Sequence, residues 1–103
     1  MTAAPPPSAP RTISSGVEYV SMPAPRYPSL SRRMGEEGKV MLRVLIDDRG
    51  RAERIEIHQS SGSDRLDQAA RDAAQRARYK PYIENGRAIA VFALVPIVFK
   101  LEN

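Results

Sequence analysis

No cysteine occurs in these 103 residues, so neither a disulfide framework nor a thiolate metal site is available to the chain. Histidine is nearly as scarce. His58 stands alone between Ile57 and Gln59, with no second histidine and no carboxylate pair at a ligand spacing, and it reads as a solvated strand residue. No apolar run reaches the 18 or so residues of a membrane span, because the longest, residues 88–99, is shorter and contains Pro96. The Met-Thr-Ala-Ala-Pro start has no positive region followed by an apolar core, so it is not a signal peptide; any export signal or anchor would lie outside these residues. Ser60-Ser-Gly-Ser63 resembles a phosphate or nucleophile loop only in composition, without the P-loop lysine or the Gly-x-Ser-x-Gly elbow. These absences argue against an enzyme, and no cofactor or metal is expected.

What is present begins with a modest basic excess. Sixteen Lys and Arg against twelve Asp and Glu leave +4 and a pI near 9.9, which permits anionic partners without requiring them. Pro5, Pro6, Pro7 and Pro10 lie among Ala and Ser, too little apolar surface to offset ordering entropy, so residues 1–24 read as a Pro-rich, disordered, semi-extended linker. Val17, Tyr19 and Val20 are the first residues able to dock on anything. The domain is expected over residues 25–103, and so small a unit buries only about 60% of the surface its unfolded chain exposes.

Within that domain Pro28 suits the first turn of a short helix over residues 29–34, with Leu30 and Met34 four apart on one face. Val40, Leu42, Val44 and Ile46 alternate with Lys39, Arg43 and Asp47, which predicts a strand over residues 39–47 with one face toward solvent. Asp47-Asp48-Arg49-Gly50 is a tight turn that Gly50 can close with positive φ; its carboxylates suit the turn better than a cation. A second strand follows over residues 51–60, with Ile55 and Ile57 inward. Ser63 or Asp64 can cap a helix whose Leu66, Ala69, Ala70, Ala73, Ala74 and Ala77 form one stripe, so the backbone must lie close against a sheet. Pro81 ends this region, Tyr79 and Tyr82 are placed to cover the end of the sheet, and Asn85-Gly86 marks a turn.

Residues 87–101 then read as one long strand. Ile89, Val91, Ala93, Val95, Ile97 and Phe99 take one face, and Ala90, Phe92, Leu94, Pro96 and Val98 the other; both are largely apolar, so the strand should be well covered. Pro96 has no N–H to give to a ladder, which confines it to an edge, a strand end or a bulge. An edge leaves unpaired backbone groups on which another chain can add a strand.

The order of these elements resembles the carboxy-terminal domain of TonB, the periplasmic energy transducer of Gram-negative bacteria, over roughly residues 24–101. The resemblance rests on Tyr27-Pro28, Gly38-Lys-Val40, Asp47 to Gly50, Ser60-Ser-Gly62 and Leu66 with Ala69-Ala70. Arg78-Tyr-Lys-Pro81, Asn85-Gly86 and Pro96-Ile-Val-Phe99 complete it. Two positions depart from the family's pattern: Ala77 stands where many relatives have tryptophan, and Ala24 where the best-known transducer has a polar residue. Tyr79 or Tyr82 is expected to take the place of the lost ring.

The resemblance implies an α+β fold, a three-stranded antiparallel sheet with two helices packed on one face and the last strand at an edge. It implies binding of the TonB box, a short segment near the amino terminus of an outer-membrane transporter, as an added strand. A pull from the proton-driven ExbB and ExbD motor would serve active uptake, as of iron chelates or haem. It further implies a periplasmic domain, anchored to the inner membrane by a helix absent from this sequence. The docking backbone carried over is residues 90–98 with Arg26 and Tyr27 nearby; Pro96 shortens its most useful reach to Ile89, Ala90, Val91, Phe92, Ala93, Leu94 and Val95. A proline at Val91 or Leu94 is expected to weaken peptide binding more than folding. Three alternatives stay open: a TolA-like interaction domain, a homodimer pairing two last strands, and a basic nucleic-acid-binding module using Arg32, Arg33, Arg76, Arg78 and Lys80, the last being disfavoured because the charge pattern suits a solvated helix face.

Overall fold

A computed structural model describes residues 12–13 and 17–102 of the chain. Its elements are β1 (Thr12–Ile13), β2 (Tyr19–Ser21), α1 (Ser29–Arg33), β3 (Gly38–Ile46), β4 (Ala52–Gln59), α2 (Asp64–Arg76), β5 (Arg78–Tyr79), β6 (Tyr82–Glu84), β7 (Arg87–Ile89) and β8 (Val91–Phe99). Among the described residues no helix is long and apolar enough to cross a membrane. The expected arm around Pro5, Pro6, Pro7 and Pro10 lies outside the described residues.

The alternation in β3 is realised in full. Val40, Leu42, Val44 and Ile46 are buried, and β3 sits at the centre of the main sheet between β4 and β8, antiparallel to both. The turn joining β3 to β4 closes with Gly50 at φ 80°, while the Asp47 carboxylate accepts N–H bonds from Arg49 and Arg51, both at 2.9 Å. Ser63 caps α2 by accepting from Leu66 N at 3.3 Å. Leu66, Ala70, Ala73, Ala74 and Ala77 are fully buried, so the small side chains let α2 lie directly on β3, β4 and β8.

Of the two tyrosines expected near Ala77, Tyr79 enters the core. It is 1% exposed, donates its hydroxyl to Ala74 O at 3.1 Å, and meets the ring of Tyr19 at 5.4 Å. β2 brings Tyr19 there by pairing antiparallel with β5, and Glu18 O accepts from Lys80 N at 2.9 Å.

Four expectations are corrected. The main sheet has four strands in the order β1-β8-β3-β4 and is mixed, because Thr12–Ile13 adds parallel to the outer side of β8; the last strand is therefore not bare. The run from Arg87 to Leu101 is not one strand. The Asn85-Gly86 turn, with φ of 52° and 76°, folds β7 back on β6, so Ile89 pairs with Tyr82 and the chain enters the main sheet only after Ala90. Nor are both faces of the last strand well covered. α2 shields one face, while Met41, Leu45, Phe92 and Leu94 on the other are half-buried, Pro96 is exposed and Val98 is 62% exposed.

Finally, the two helices do not share the work of covering the sheet. α1 exposes Leu30 and Met34 at 44% and 61% and instead buries Ser31, whose hydroxyl accepts from Arg65 Nε at 3.3 Å. A helix this short has one turn to offer, and a hydroxyl with a fixed partner holds it in place.

Asp67, in the first turn of α2, ties down the loop before it. Its carboxylate accepts from Ser61 N at 2.9 Å, from Ser61 Oγ at 2.7 Å and from Ser60 Oγ. Burial pushes this carboxyl up, but the serine donors outweigh it and hold the group below its usual range. Glu36 is likewise held low, first by the Ser31 hydroxyl and then by Arg65 and Ser63. For both groups the folded state binds its proton more weakly than the unfolded chain does. Their contribution is therefore complete above the ordinary carboxylate range near pH 4 and is lost as pH falls through the lower folded values. Urea midpoints are expected to stay flat from about pH 7 to about pH 5 and to fall below about pH 4, where these carboxyls take up protons. Asp67→Ala should cost about 1–3 kcal/mol at neutral pH, because the part-buried Ser61 N–H loses its acceptor, and should flatten part of the acid-side fall. A variant with an unchanged acid-side curve would locate that fall in other groups.

Candidate functional site

The site expected from sequence is the outer edge of β8, and the direction of its backbone groups can be followed from the hairpin. Asp47 N donates to Arg51 O at 2.9 Å, so the odd-numbered residues of β3 turn their N–H and C=O groups toward β4 and the even-numbered ones toward β8. The register with β8 runs without a shift from Ile46↔Val91 to Gly38↔Phe99. Val91, Ala93, Val95, Ile97 and Phe99 are thus committed to β3, and Phe92, Leu94, Pro96 and Val98 face outward. Pro96, opposite Met41, falls where β3 needs no donor, which is why the ladder continues past it to Phe99. The outward donors are Phe92, Leu94 and Val98.

Side chains alternate in the same way. Val91, Ala93 and Val95 are buried against α2 and β3, while Phe92 and Leu94 lie on the open face of the sheet. Above Phe92 the Arg43 guanidinium sits 3.6 Å from the ring centroid. It also pairs with Glu56 at 3.4 Å and reaches Thr12 Oγ1 at 3.4 Å. A cation held flat on an aromatic face and tethered on both sides is a fixed feature of this end of the edge. No feature of the sequence marked Arg43 for this role, since it reads as an ordinary outward strand residue. Thr12–Ile13 carries one faint signal, a pair of adjacent β-branched residues in a Pro- and Ser-rich stretch.

The structure brings Val91, Phe92, Ala93, Leu94 and Val95 together on one strand. Ile89 pairs with Tyr82 in the neighbouring hairpin, and Ala90 links the two. Arg26 and Tyr27 lie at the opposite end of β8. Tyr27 packs edge-on against Phe99 with centroids 5.4 Å apart, donates its hydroxyl to Glu36 O, and carries the Arg32 guanidinium 5.8 Å from its ring. Phe99 is four residues past Val95, roughly 13 Å along a strand. Arg26 is exposed beside a groove of about 800 Å³ between the Tyr27-Pro28-Ser29 segment and α2, where Arg65, Asp72 and Arg76 also face it. A strand docked on residues 91–95 alone would stop short of Tyr27, which sits at Phe99.

His58 is exposed on β4. Lys80 pairs with Glu18 at 2.9 Å, Arg76 Nε donates to Asp72 O at 3.3 Å, and Arg78 Nη1 donates to Ala77 O at 3.3 Å. Among the described residues no three His, Asp or Glu side chains are grouped to hold a metal ion.

Residues 23–101 match the family model described as Gram-negative bacterial TonB protein C-terminal. Protein TonB of Vibrio cholerae is 36% identical over 108 aligned positions, covering 94% of this chain and 44% of that protein. Protein tonB2 of Pseudomonas aeruginosa is 41% identical over 86% of this chain and 33% of its own length, so the chain spans less than half of either relative. The solution structure of the Pseudomonas aeruginosa TonB CTD superposes with a TM-score of 0.73 at 27% identity, covering 93% of this chain and 98% of that one. The tonb2 protein of Vibrio anguillarum superposes with a TM-score of 0.62 at 30% identity, covering 98% and 100%.

Proposed function

This chain belongs to the TonB C-terminal family, a family of transport energy transducers, and from that premise we propose that it takes up the TonB box of an outer-membrane transporter as an added strand on the outer side of β8. The domain then passes a pull to the docked strand from a proton-driven motor of the ExbB and ExbD type, through an inner-membrane anchor outside these residues. It works in the periplasm. The observation that carries this reading is the outward row of backbone groups at Phe92, Leu94 and Val98, which among the described residues only Thr12–Ile13 covers, and only near its Val91 end.

Main-chain bonds along such an edge are nearly blind to sequence, so selectivity has to come from side chains beside it. Phe92 and Leu94 on the open face supply an apolar strip, and Arg43, stacked on Phe92 and paired with Glu56, sets a polar boundary beside it. Tyr27 and Arg26 add a second contact at the Phe99 end. Pulled lengthwise, a ladder of backbone bonds shares its load among several donors and acceptors, which suits a mechanical coupling.

The test is a titration of the isotope-labelled chain with a synthetic TonB-box peptide. Amide shifts are expected to concentrate on residues 91–98 of β8, with smaller ones at Arg26 and Tyr27. Shifts confined to the Asp47–Gly50 turn, or none at millimolar peptide, would remove the docking reading.

A further inference from the structure

We propose that Thr12–Ile13 is a built-in competitor: the chain's own amino-terminal segment occupies the docking edge of β8 and must leave before a partner strand can pair there. The inference rests on the docking reading and adds to it a regulation of the same site.

The pairing is parallel, Thr12 opposite Phe92 and Ile13 opposite Ala93. Ile13 thus lies between Phe92 and Leu94, the two residues whose backbone groups face outward, and alternation turns the N–H and C=O of Ile13 toward them. One edge carries one row of donors and acceptors, so the segment and a partner strand over residues 91–95 exclude each other. Two side-chain contacts hold the segment in place, and a backbone bond anchors the chain just after it. Arg43 reaches across Phe92 to the Thr12 hydroxyl at 3.4 Å. The Ile13 side chain packs against the core and shares a cleft of about 200 Å³ with Val17, Ile46 and Val91. Five residues beyond Ile13, Glu18 is fixed by its carbonyl, which accepts from Lys80 N at 2.9 Å. So short a tether keeps the segment at a high effective concentration near the edge, on the order of millimolar.

The competitor is also short, and that sets how it acts. Among the described residues, two cover two positions of a nine-residue strand and none covers the edge beyond Leu94. A partner that pairs only near Phe92 gains no more than the segment already provides. One that continues toward Phe99 has further donors and acceptors to take and displaces it. The occupied edge therefore raises the length of match a partner needs, and it covers the Phe92 end of the row when no partner is present.

The experiment compares the full chain with its Ile13→Pro and Ile13→Asp variants. The proline removes the N–H that faces β8, and the aspartate keeps that N–H but loses the apolar seat. Hydrogen exchange without peptide should quicken at Leu94, whose N–H faces the Ile13 carbonyl, in both variants, while the Ser61 and Leu66 amides, far from the edge, report that the fold is intact. The synthetic TonB-box peptide should bind Ile13→Pro about three- to tenfold more tightly than the parent, with Ile13→Asp between them. Equal affinity in all three proteins overturns the proposal, and quickened exchange with equal affinity does the same, because the segment then pairs without competing. Absence of shifts on residues 91–98 in all three is a different result: it overturns the docking reading, and the competition falls with it.

Discussion

An alanine at Gly50 is expected to destabilise the domain by about 3 kcal/mol or more and to lower its melting temperature by about 12 °C or more. Two separate costs add at this one atom. Gly50 has φ 80°, a conformation that costs a residue with a Cβ about 1–2 kcal/mol. The added Cβ would also lie 1.9 Å from Tyr79 O and 3.0 Å from Tyr79 C. Those atoms are backbone, and they are pinned, because Tyr79 N donates to Gly50 O at 2.8 Å and the Tyr79 ring is buried under Tyr19. Relief would require the β3–β4 turn to part from β5. A domain of this size holds only about 4–12 kcal/mol in total, so a large part of the molecules should unfold at moderate temperature. Gly35→Ala is the control. Its φ is 70°, yet no atom lies within 4 Å of the new Cβ, so only the conformational cost of about 1–2 kcal/mol applies. Equal melting temperatures for the two variants, measured by calorimetry, would rule out the contact with Tyr79 as the source of the difference.

Gly50 also shows where reading the sequence stops. Its place in an Asp-rich turn between two alternating strands predicts the positive φ, because that is a local property of the turn. The contact with Tyr79 depends on residues some thirty positions later and leaves no local trace. The same division runs through the fold. The inward set of β3, the Ser63 cap and the alanine stripe of α2 follow from periodicity and capping, and the structure has them where the pattern puts them. The long apolar run reads as one strand because Arg87, Ala88 and Ile89 continue its alternation; the Asn85-Gly86 turn claims them for a hairpin with β6, and a period of two does not reveal which partner a residue takes. Leu30 and Met34 made the opposite error possible, since apolar residues at helical spacing promise a buried face, and α1 buries Ser31 instead. For the site, Pro96 pointed to the outer edge of β8, while the resemblance supplied Arg26 and Tyr27. Thr12–Ile13 and Arg43 were hidden, one within a stretch of linker composition and the other among ordinary outward residues.

Proline substitutions along β8 should separate docking from folding, with opposite outcomes at Leu94 and Val91. The two look equivalent in sequence, each an apolar residue in an apolar run. Their backbone groups face opposite ways. Val91 pairs with Ile46 at the end of the β3–β8 ladder and is 1% exposed, so Val91→Pro removes a donor that faces β3 and leaves the carbonyl of buried Ile46 unpaired, a loss of roughly 1–3 kcal/mol before the smaller change in packing. Leu94 turns outward, as Pro96 does two residues later, so Leu94→Pro should leave the β3 ladder whole and lower stability by no more than about 1 kcal/mol. Docking reverses the order. Leu94→Pro takes a donor from the row a partner strand needs and puts ring atoms in its path, so affinity for a TonB-box peptide should fall tenfold or more, about 1.4 kcal/mol. The comparison belongs on the Ile13→Pro background, where release of the amino-terminal segment cannot offset the loss. Urea midpoints and peptide titrations on the same samples then give two numbers per variant. If Leu94→Pro unfolds the domain as readily as Val91→Pro, the assignment of outward and inward backbone groups on β8 is wrong. If it leaves both folding and affinity unchanged, the partner does not pair on this edge, whatever else it touches.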